Sequence, residues 1–446
     1  MSTPAANTPY AVVAGLGATG LSCVRYLTAR GWRLAVTDTR ASPPQLAPLE
    51  GLGAGIQVRL GALDATLLDG ATCVIASPGL SLELPFFLEA RRRGLPIVGD
   101  IELFARAADS PVSGITGTNG KSTVTTLLGR MAQRAGVRVR VGGNLGEPAL
   151  ELLGQGAELY VLELSSFQLE TTVTLACRAA AVLNVSPDHL DRYATVAAYA
   201  AAKARIYARC ETAVVNLDDP LVAAMSRAAQ RTLSFSLRGD SDADYTLSVR
   251  EREPWLTRAG TALMPLSQLR IKGLHNAANA LAALALGEAL SLSLPAMLEE
   301  LAQFTGLPHR SQWLRELRGV SYIDDSKGTN VGATLAAVAG LPGPLVIIAG
   351  GEGKSQDFAP LAAAFRGKVR HTVLIGRDAP LIARALAGVC TLETCATLPA
   401  AVEAAARAAR PGDTVLLSPA CASFDMFRDY SHRGAVFAQA VAELAA

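Results

Sequence analysis

The sequence predicts an α/β protein of three domains, because three separate segments each restart a pattern of strand, glycine turn and helix. Two further observations support that class. Half of the 446 residues are hydrophobic, yet glycine and proline are spread along the whole chain, as frequent strand-to-helix turns require. The longest apolar runs, such as 344–350 and Thr414–Leu417, are short and read as buried parallel strands. The length fits about three cores at roughly 150 residues each.

The first segment, expected to span 1–100, opens with a strand at 11–14. That strand feeds Gly15-Leu-Gly17-Ala-Thr-Gly20 and an amphipathic helix to residue 29, and a second strand at 33–37 ends at Asp38. Short strands follow at 73–77 and 96–98. The second segment, 101–306, begins with a strand at Val112–Thr116, a glycine turn and a helix from Lys121. Strands are expected at 159–164, 179–185 and Thr212–Asn216, with a helix across 196–209. Polar, turn-rich sequence at 237–258 suggests a small β insertion, and 276–290 is strongly helical. Gly306-Leu-Pro308-His309-Arg310 breaks that pattern and marks a linker. The third segment, 307–446, has strands at 321–324, 345–349, 372–375 and Thr414–Leu417 with alanine-rich helical sequence between them. The outer domains are therefore expected to be Rossmann-like, and the central one a parallel-sheet, P-loop ATPase-like domain.

Composition narrows the function classes. No apolar run approaches the ~20 residues of a membrane-spanning helix, so no membrane partner is expected. Residues 1–9 carry neither a basic start nor an apolar signal core, which makes the cytoplasm the expected compartment. Seven cysteines without a CxxC pair argue against a disulfide framework or a zinc site. A net charge near +2 with dispersed charges announces no nucleic-acid partner. Lysine usage is more telling. Only six of the 41 basic residues are lysine (121, 203, 272, 327, 354 and 368), leaving 35 arginines. Where arginine serves as the general cation, a retained primary amine points to a compact charge or to amine chemistry. Four of the six lie in the motifs below.

Gly114-Ile-Thr-Gly117-Thr118-Asn119-Gly120-Lys121-Ser122-Thr123 sits between a strand and a helix, the context of a P-loop. Its glycines let backbone N–H groups crowd round phosphate oxygens, and the helix N-terminus adds its dipole. Lys121 suits the β and γ phosphates of ATP and the Ser122 hydroxyl suits Mg²⁺. The spacing misses GxxxxGK[ST] by one residue and reads instead as GxxGTNGKS. That variant turn resembles the Mur ligase and folylpolyglutamate synthetase superfamily, whose members activate a carboxylate with ATP and then attach an amino acid. Further matches are Gly143-Asn144-Leu-Gly146, Glu163-Leu-Ser-Ser-Phe-Gln-Leu-Glu170, Asn184-Val-Ser-Pro-Asp188-His189-Leu-Asp191-Arg192 and Ala201-Ala202-Lys203.

The resemblance implies catalytic roles for Lys121, Glu163, His189 and Lys203. Glu163 ends a strand at the sheet edge where α/β ligands bind, and Asp188 and Asp191 flank His189, where they are expected to orient its ring or hold the metal shell. Lys203 is implied to be carbamylated, giving an oxygen ligand that only a primary amine can provide, so that Ser122, Glu163, His189 and Lys203 would form the magnesium set. ATP is expected on Gly117 to Thr123 together with Asn279, Arg310 and Asp325. Lys327, Thr329, Lys354, Ser423 and Phe424 are expected to hold the incoming amino acid. They lie in Asp324-Asp-Ser-Lys-Gly-Thr-Asn330, Gly350-Gly-Glu-Gly-Lys354 and Leu417-Ser-Pro-Ala-Cys-Ala-Ser-Phe-Asp425. Glu352 and Phe424 replace residues that relatives commonly carry as Asp and Leu.

Gly15 to Gly20 also matches GxGxxG with Asp38 near ribose distance, so NAD binding is one reading. In the D-glutamate-adding branch this domain resembles a dinucleotide fold but receives UDP, and Asp38-Thr-Arg40, Ser77-Pro-Gly79 and Gly99-Asp-Ile-Glu102 fit that branch. Thr19, Asp38, Thr39, Arg40, Ser77 and Gly79 are then expected round the uridine or diphosphate, with Asn144 and His189 toward the reacting end. The resemblance spans almost the whole chain. It implies a monomeric ligase of UDP-N-acetylmuramoyl-L-alanine and D-glutamate, working through an acyl phosphate, with hinge motion near 101–111 and Gly306. Alternatives are another amino-acid or folate ligase of the superfamily, an NAD-dependent oxidoreductase and a non-enzymatic nucleotide sensor.

Overall fold

The computed structural model describes residues 8–52, 55–225, 229–271 and 273–445, so Lys272 lies outside the described residues. Three sheets follow one another along the chain. The first is parallel, in the order β3-β2-β1-β4-β5, built from β1 (Tyr10–Ala14), β2 (Arg33–Asp38), β3 (Gln57–Leu60), β4 (Cys73–Ala76) and β5 (Ile97–Val98). β1 is central and buried throughout, which is why it reads as a continuous apolar run. Its turn needs glycine, since a Cβ on Gly20 would stand 1.9 Å from the Gly15 carbonyl oxygen.

The central sheet has the order β14-β13-β12-β11-β10-β9-β6-β8-β7. Its strands are β6 (Val112–Thr116), β7 (Val139–Gly143), β8 (Leu159–Glu163), β9 (Ala179–Val182), β10 (Thr212–Asn216), β11 (Arg231–Ser236), β12 (Tyr245–Arg250), β13 (Glu253–Arg258) and β14 (Thr261–Pro265). β6 lies between β8 and β9, so the turn after it opens at a point where strand order reverses, the usual ligand site of such sheets. The expected β insertion at 237–258 is instead an extension of this sheet. β11 pairs parallel with β10 and buries Leu233 and Phe235, leaving an edge on which β12, β13 and β14 continue, the last two antiparallel.

The third sheet runs β15-β16-β20-β17-β18-β19. It comprises β15 (Gln312–Leu317), β16 (Val320–Asp324), β17 (Leu345–Gly350), β18 (Val369–Ile375), β19 (Thr391–Thr394) and β20 (Thr414–Leu417), parallel except for the edge strand β15.

The joints between the units differ. One continuous apolar cluster runs from Val13 and Val24 of the first unit through Ile101 and Phe104 to Tyr160 and Leu162 of the central one. Residues Asp100–Ala105 form a helix whose Ile101, Glu102, Leu103 and Phe104 are buried, with Phe104 edge-on to Tyr160 at 5.1 Å. The first half of the stretch expected to act as a hinge, 101–111, is packed helix. The third unit meets the central one through polar side chains, described next, and where helix Val331–Gly340 crosses helix Leu274–Ala289.

Candidate active site

Burial of β6 fixes where the glycine turn opens, and helix Lys121–Arg134 leaves it with its N-terminus facing the opening. Gly120 adopts φ +85°, and a Cβ there would lie 2.4 Å from Asn279 Oδ1, so backbone and side chain come too close for any other residue. The turn is pinned by Asn184, whose Oδ1 accepts from Asn119 N–H at 2.8 Å and whose Nδ2 donates to the Asn119 carbonyl at 3.0 Å. Thr118 Oγ1 accepts from Ser186 N–H at 3.0 Å. Lys121 Nζ donates to the carbonyls of Gly117 and Thr118 at 2.9 and 2.8 Å. From the third unit, Arg310 donates to Ser122 Oγ at 2.6 Å.

Two cavities flank this turn and share Asn119, Gly120, Arg310 and Lys327. One, of about 350 Å³, is lined by Thr123, Asn279 and Asp325 between apolar walls that include Leu183, Phe235 and Ala337. The other, of about 320 Å³, brings together most of the expected set: Thr118, Lys121, Ser122, Asn144, Glu163, His189, Lys203, Arg310, Lys327, Thr329, Lys354, Ser423 and Phe424. The four lysines singled out by their scarcity all line it, whereas Lys368 lies elsewhere and donates to the Ala339 carbonyl. Gly117 lines neither cavity, but its carbonyl receives both Lys121 and Lys203.

Burial controls the charges here. Lys203 is 1% exposed, its Nζ donates to Gly117 O at 2.9 Å and lies over the Tyr199 ring at 4.3 Å. Desolvation, helped by the nearby Lys121, pushes this amine well below the usual lysine range, which favours the neutral and nucleophilic form. Burial likewise lowers Lys121 and brings Lys327 to about 8, with Arg310 and Lys121 adding repulsion to the latter. His189 is lowered by burial too, so its imidazole is neutral near pH 7. Its ring is set by T-shaped contacts with Phe167 at 4.9 Å and Tyr199 at 6.2 Å; Asp188 Oδ2 is 3.8 Å from Nε2, too far to be the orienting partner that its flanking position suggested. Burial pushes Asp325 up to about 7.

Glu163 fits a metal role on one specific ground. Its Oε1 accepts from Asn144 Nδ2 at 2.6 Å, while Oε2 is buried and has no protein partner, an expensive arrangement unless something outside the chain binds it. A carboxylate, a hydroxyl and an imidazole, with room for waters, suit a hard divalent ion. Among the described residues no group of three or more His, Cys, Asp or Glu is placed to hold a metal ion.

The third cavity lies at the end of the first sheet, holds about 380 Å³, and is lined by Thr19, Asp38, Thr39, Arg40, Ser77 and Gly79 among others. Asp38 is saturated. Its Oδ1 accepts from Arg40 N and Nε at 2.8 and 2.9 Å, and its Oδ2 from Leu16 N and Arg40 Nη2 at 2.6 and 2.7 Å. Burial raises this carboxyl, but the Arg40 and backbone bonds outweigh it and hold it at about 2. With its lone pairs engaged by Arg40 and Leu16, Asp38 offers no free acceptor to the ribose 2′-OH that an NAD site contacts, which disfavours the oxidoreductase reading.

Three family models match successive parts of the chain: "Mur ligase MurD-like, N-terminal domain" over 10–99, "Mur ligase middle domain" over 115–287 and "Mur ligase, glutamate ligase domain" over 309–421. The chain belongs to the Mur ligase family. A UDP-N-acetylmuramoylalanine–D-glutamate ligase of Nitrosococcus oceani is 52% identical over 97% of this chain and 96% of its own. One of Pseudomonas aeruginosa is 51% identical over 99% of both. Among solved structures, the UDP-N-acetylmuramate-alanine ligase of Thermotoga maritima superposes with a TM-score of 0.62 at 19% identity, covering 98% of this chain and 99% of that one. A pseudomurein peptide ligase type C of Methanothermus fervidus gives 0.62 at 18%, covering 98% and 100%. These two share the three-domain fold.

Several contacts of this Mur ligase site were not legible in the sequence. Asp188 accepts from Lys354 Nζ at 2.6 Å and from Asn330 Nδ2 at 3.1 Å, so Lys354, expected to hold the amino acid, is joined to the central unit here. Tyr430 places its ring 4.0 Å below Lys327 Nζ. The buried Arg433 donates to Ser326 O at 2.7 Å and to Cys421 O at 3.1 Å, bracing the loops that carry Lys327 and Ser423. Asp188 and Asn330 lie inside recognised motifs, but Tyr430 and Arg433 come from the last helix, more than 100 residues from Lys327, where no local pattern marks them.

Proposed function

We propose that this chain is the ATP-dependent ligase that joins D-glutamate to the L-alanyl carboxylate of UDP-N-acetylmuramoyl-L-alanine during peptidoglycan precursor synthesis. The observation that carries this reading is the single cavity in which four scarce lysines meet Glu163 and His189 beside the phosphate-binding turn. The end-to-end match to relatives named for that reaction supports it. ATP lies in the cavity of Thr123, Asn279 and Asp325, with its γ-phosphate toward Lys121, Ser122 and Arg310. The UDP end occupies the cavity of Thr19, Thr39, Arg40, Ser77 and Gly79, where Asp38 acts by fixing Arg40. The alanyl carboxylate reaches Asn144 and His189. Lys327, Thr329, Lys354, Ser423 and Phe424 receive the amino acid, two cations matching a dicarboxylate.

A carboxylate oxygen attacks the γ-phosphorus in line and ADP leaves, giving an acyl phosphate. The glutamate amine then attacks the acyl carbon, phosphate departs with the former carboxylate oxygen, and the amine loses a proton. Lys121 and Arg310 offset charge on the phosphoryl oxygens throughout. Ser122, Glu163, His189 and a carbamylated Lys203 would hold magnesium, which supplies further charge compensation. We assign the work to a monomer in the cytoplasm, where ATP is available.

The test is phosphate release from ATP with UDP-N-acetylmuramoyl-L-alanine and a panel of amino acids, with a folate acceptor as control. Release that requires both the acceptor and D-glutamate is expected. Release with L-glutamate, another amino acid or the folate in preference, or independent of any acceptor, would overturn the reading.

A further inference from the structure

Arg192 ends the motif that carries Asp188 and His189, and nothing above uses it. Its surroundings set it apart. One guanidinium nitrogen donates to the Pro78 carbonyl at 3.2 Å, across 114 residues and from the central unit to the first. Another donates to Glu170 Oε2 at 3.0 Å, and the planar group lies over the Phe167 ring at 4.4 Å. Phe167 in turn makes a T-shaped contact with the His189 ring, and Arg192 N–H donates to the His189 carbonyl at 2.9 Å. Pro78 lines the cavity at the end of the first sheet, and Phe167 and His189 line the reaction cavity. One side chain, 13% exposed, thus touches the walls of both.

Other polar ties between these units do not. Gln168 donates to Asp100 Oδ2 at 3.0 Å, Gly99 N–H donates to the Thr171 carbonyl at 3.4 Å, and Arg25 lies 3.7 Å from Glu151, but none of these six residues lines either cavity. The loop that Arg192 holds is stiff at its other end, because Ser77 Oγ donates to the Gly15 carbonyl at 2.8 Å. A continuous path therefore runs from the Gly15 turn through Ser77 and Pro78 to Arg192, Phe167 and His189.

We propose that Arg192 is a positioning residue that fixes the spacing and angle between the two cavities, so that one long substrate engages both at once. This inference rests on the proposed function, in which the nucleotide end and the reacting carboxylate of a single molecule occupy the separate cavities. Arginine suits the task because its fork donates in two directions while its plane stacks on a ring; a lysine keeps the charge but cannot do all three.

The experiment compares the intact enzyme with Arg192→Met, Arg192→Lys and Glu170→Gln. Turnover of UDP-N-acetylmuramoyl-L-alanine by the unaltered enzyme comes first, and its failure would count against the proposed function rather than against Arg192. Arg192→Met should lower kcat/KM for that substrate about 10²-fold, as small misplacements of a reacting group do, while KM for ATP and the calorimetric affinity for UDP alone stay near their starting values. Arg192→Lys should behave like Arg192→Met, and Glu170→Gln should show a smaller loss of the same kind. Recovery of activity by Arg192→Lys would reduce the role to bulk charge. Equal losses in UDP affinity and in kcat/KM for Arg192→Met would make it a direct nucleotide contact. Either result overturns the proposal. Glu170→Gln preserves side-chain shape and keeps the test decisive if Arg192→Met unfolds.

Discussion

Lys203 is the residue whose chemistry depends most on where it is buried. Its amine is held below the ordinary lysine range by desolvation, so it reaches the neutral form that reaction with carbon dioxide requires. Lys203→Arg places a permanent charge in the same pocket and removes the reactive nitrogen; phosphate release should fall by about 10²–10³-fold or more, and activity within a few-fold of normal would exclude a carbamate. Glu163→Gln keeps the hydrogen-bonding shape but loses the charge on the oxygen that has no protein partner, so half-maximal activity should require about 10- to 100-fold more magnesium. Asp325 carries a pH dependence of opposite sign to a salt-bridged carboxylate. Its folded-state value of about 7 exceeds an unfolded value of about 4, so the fold holds the proton more tightly across that window and the group's contribution to stability falls as pH rises through it. Above about 7 it becomes a pure acceptor for ATP, and KM for ATP should drop as pH rises through that point. Asp325→Asn should erase this inflection, and an unchanged profile would assign it to another group.

The turn after β6 is the element on which nucleotide binding depends. Gly120→Ala forces a Cβ against Asn279 at a positive φ, and should weaken ATP binding by at least about 10-fold while the far-ultraviolet dichroism of the sheet stays intact. This element was legible in the sequence because glycines, Lys121 and Ser122 lie within ten residues between a buried strand and a helix. Strands with apolar cores, such as β6, β10 and β20, could be read for the same reason. β3, β7, β15 and β19 could not: each is a partly exposed edge or near-edge strand with mixed polarity, and only its neighbours make it a strand. The site divides in the same way. Residues in contiguous motifs were legible, but contacts such as Lys327 with Tyr430 or Lys354 with Asp188 exist only after distant segments meet.

At the scale of the molecule the two joints differ in kind. The first and central units share one apolar core, whereas the third is tied to the central one largely by Arg310, Asn330 and Lys354 at the site itself, after a linker in which Gly306 adopts φ +88°. Domain motion is therefore expected at Gly306 rather than within helix Asp100–Ala105. Asp188→Ala cuts two of those ties; the radius of gyration from small-angle scattering should rise and KM for the amino acid should increase, and no change in either would mean that closure rests elsewhere. The catalytic claim joins all three units, since one substrate must run from the first cavity to the phosphate-binding turn while the third unit delivers the amine. It is tested most directly by supplying UDP-N-acetylmuramoyl-L-alanine labelled with heavy oxygen in its carboxylate and analysing the phosphate released in the presence of ATP and D-glutamate. Attack by the carboxylate predicts one labelled oxygen in each phosphate, and unlabelled phosphate would mean that water, not the substrate, cleaves the nucleotide.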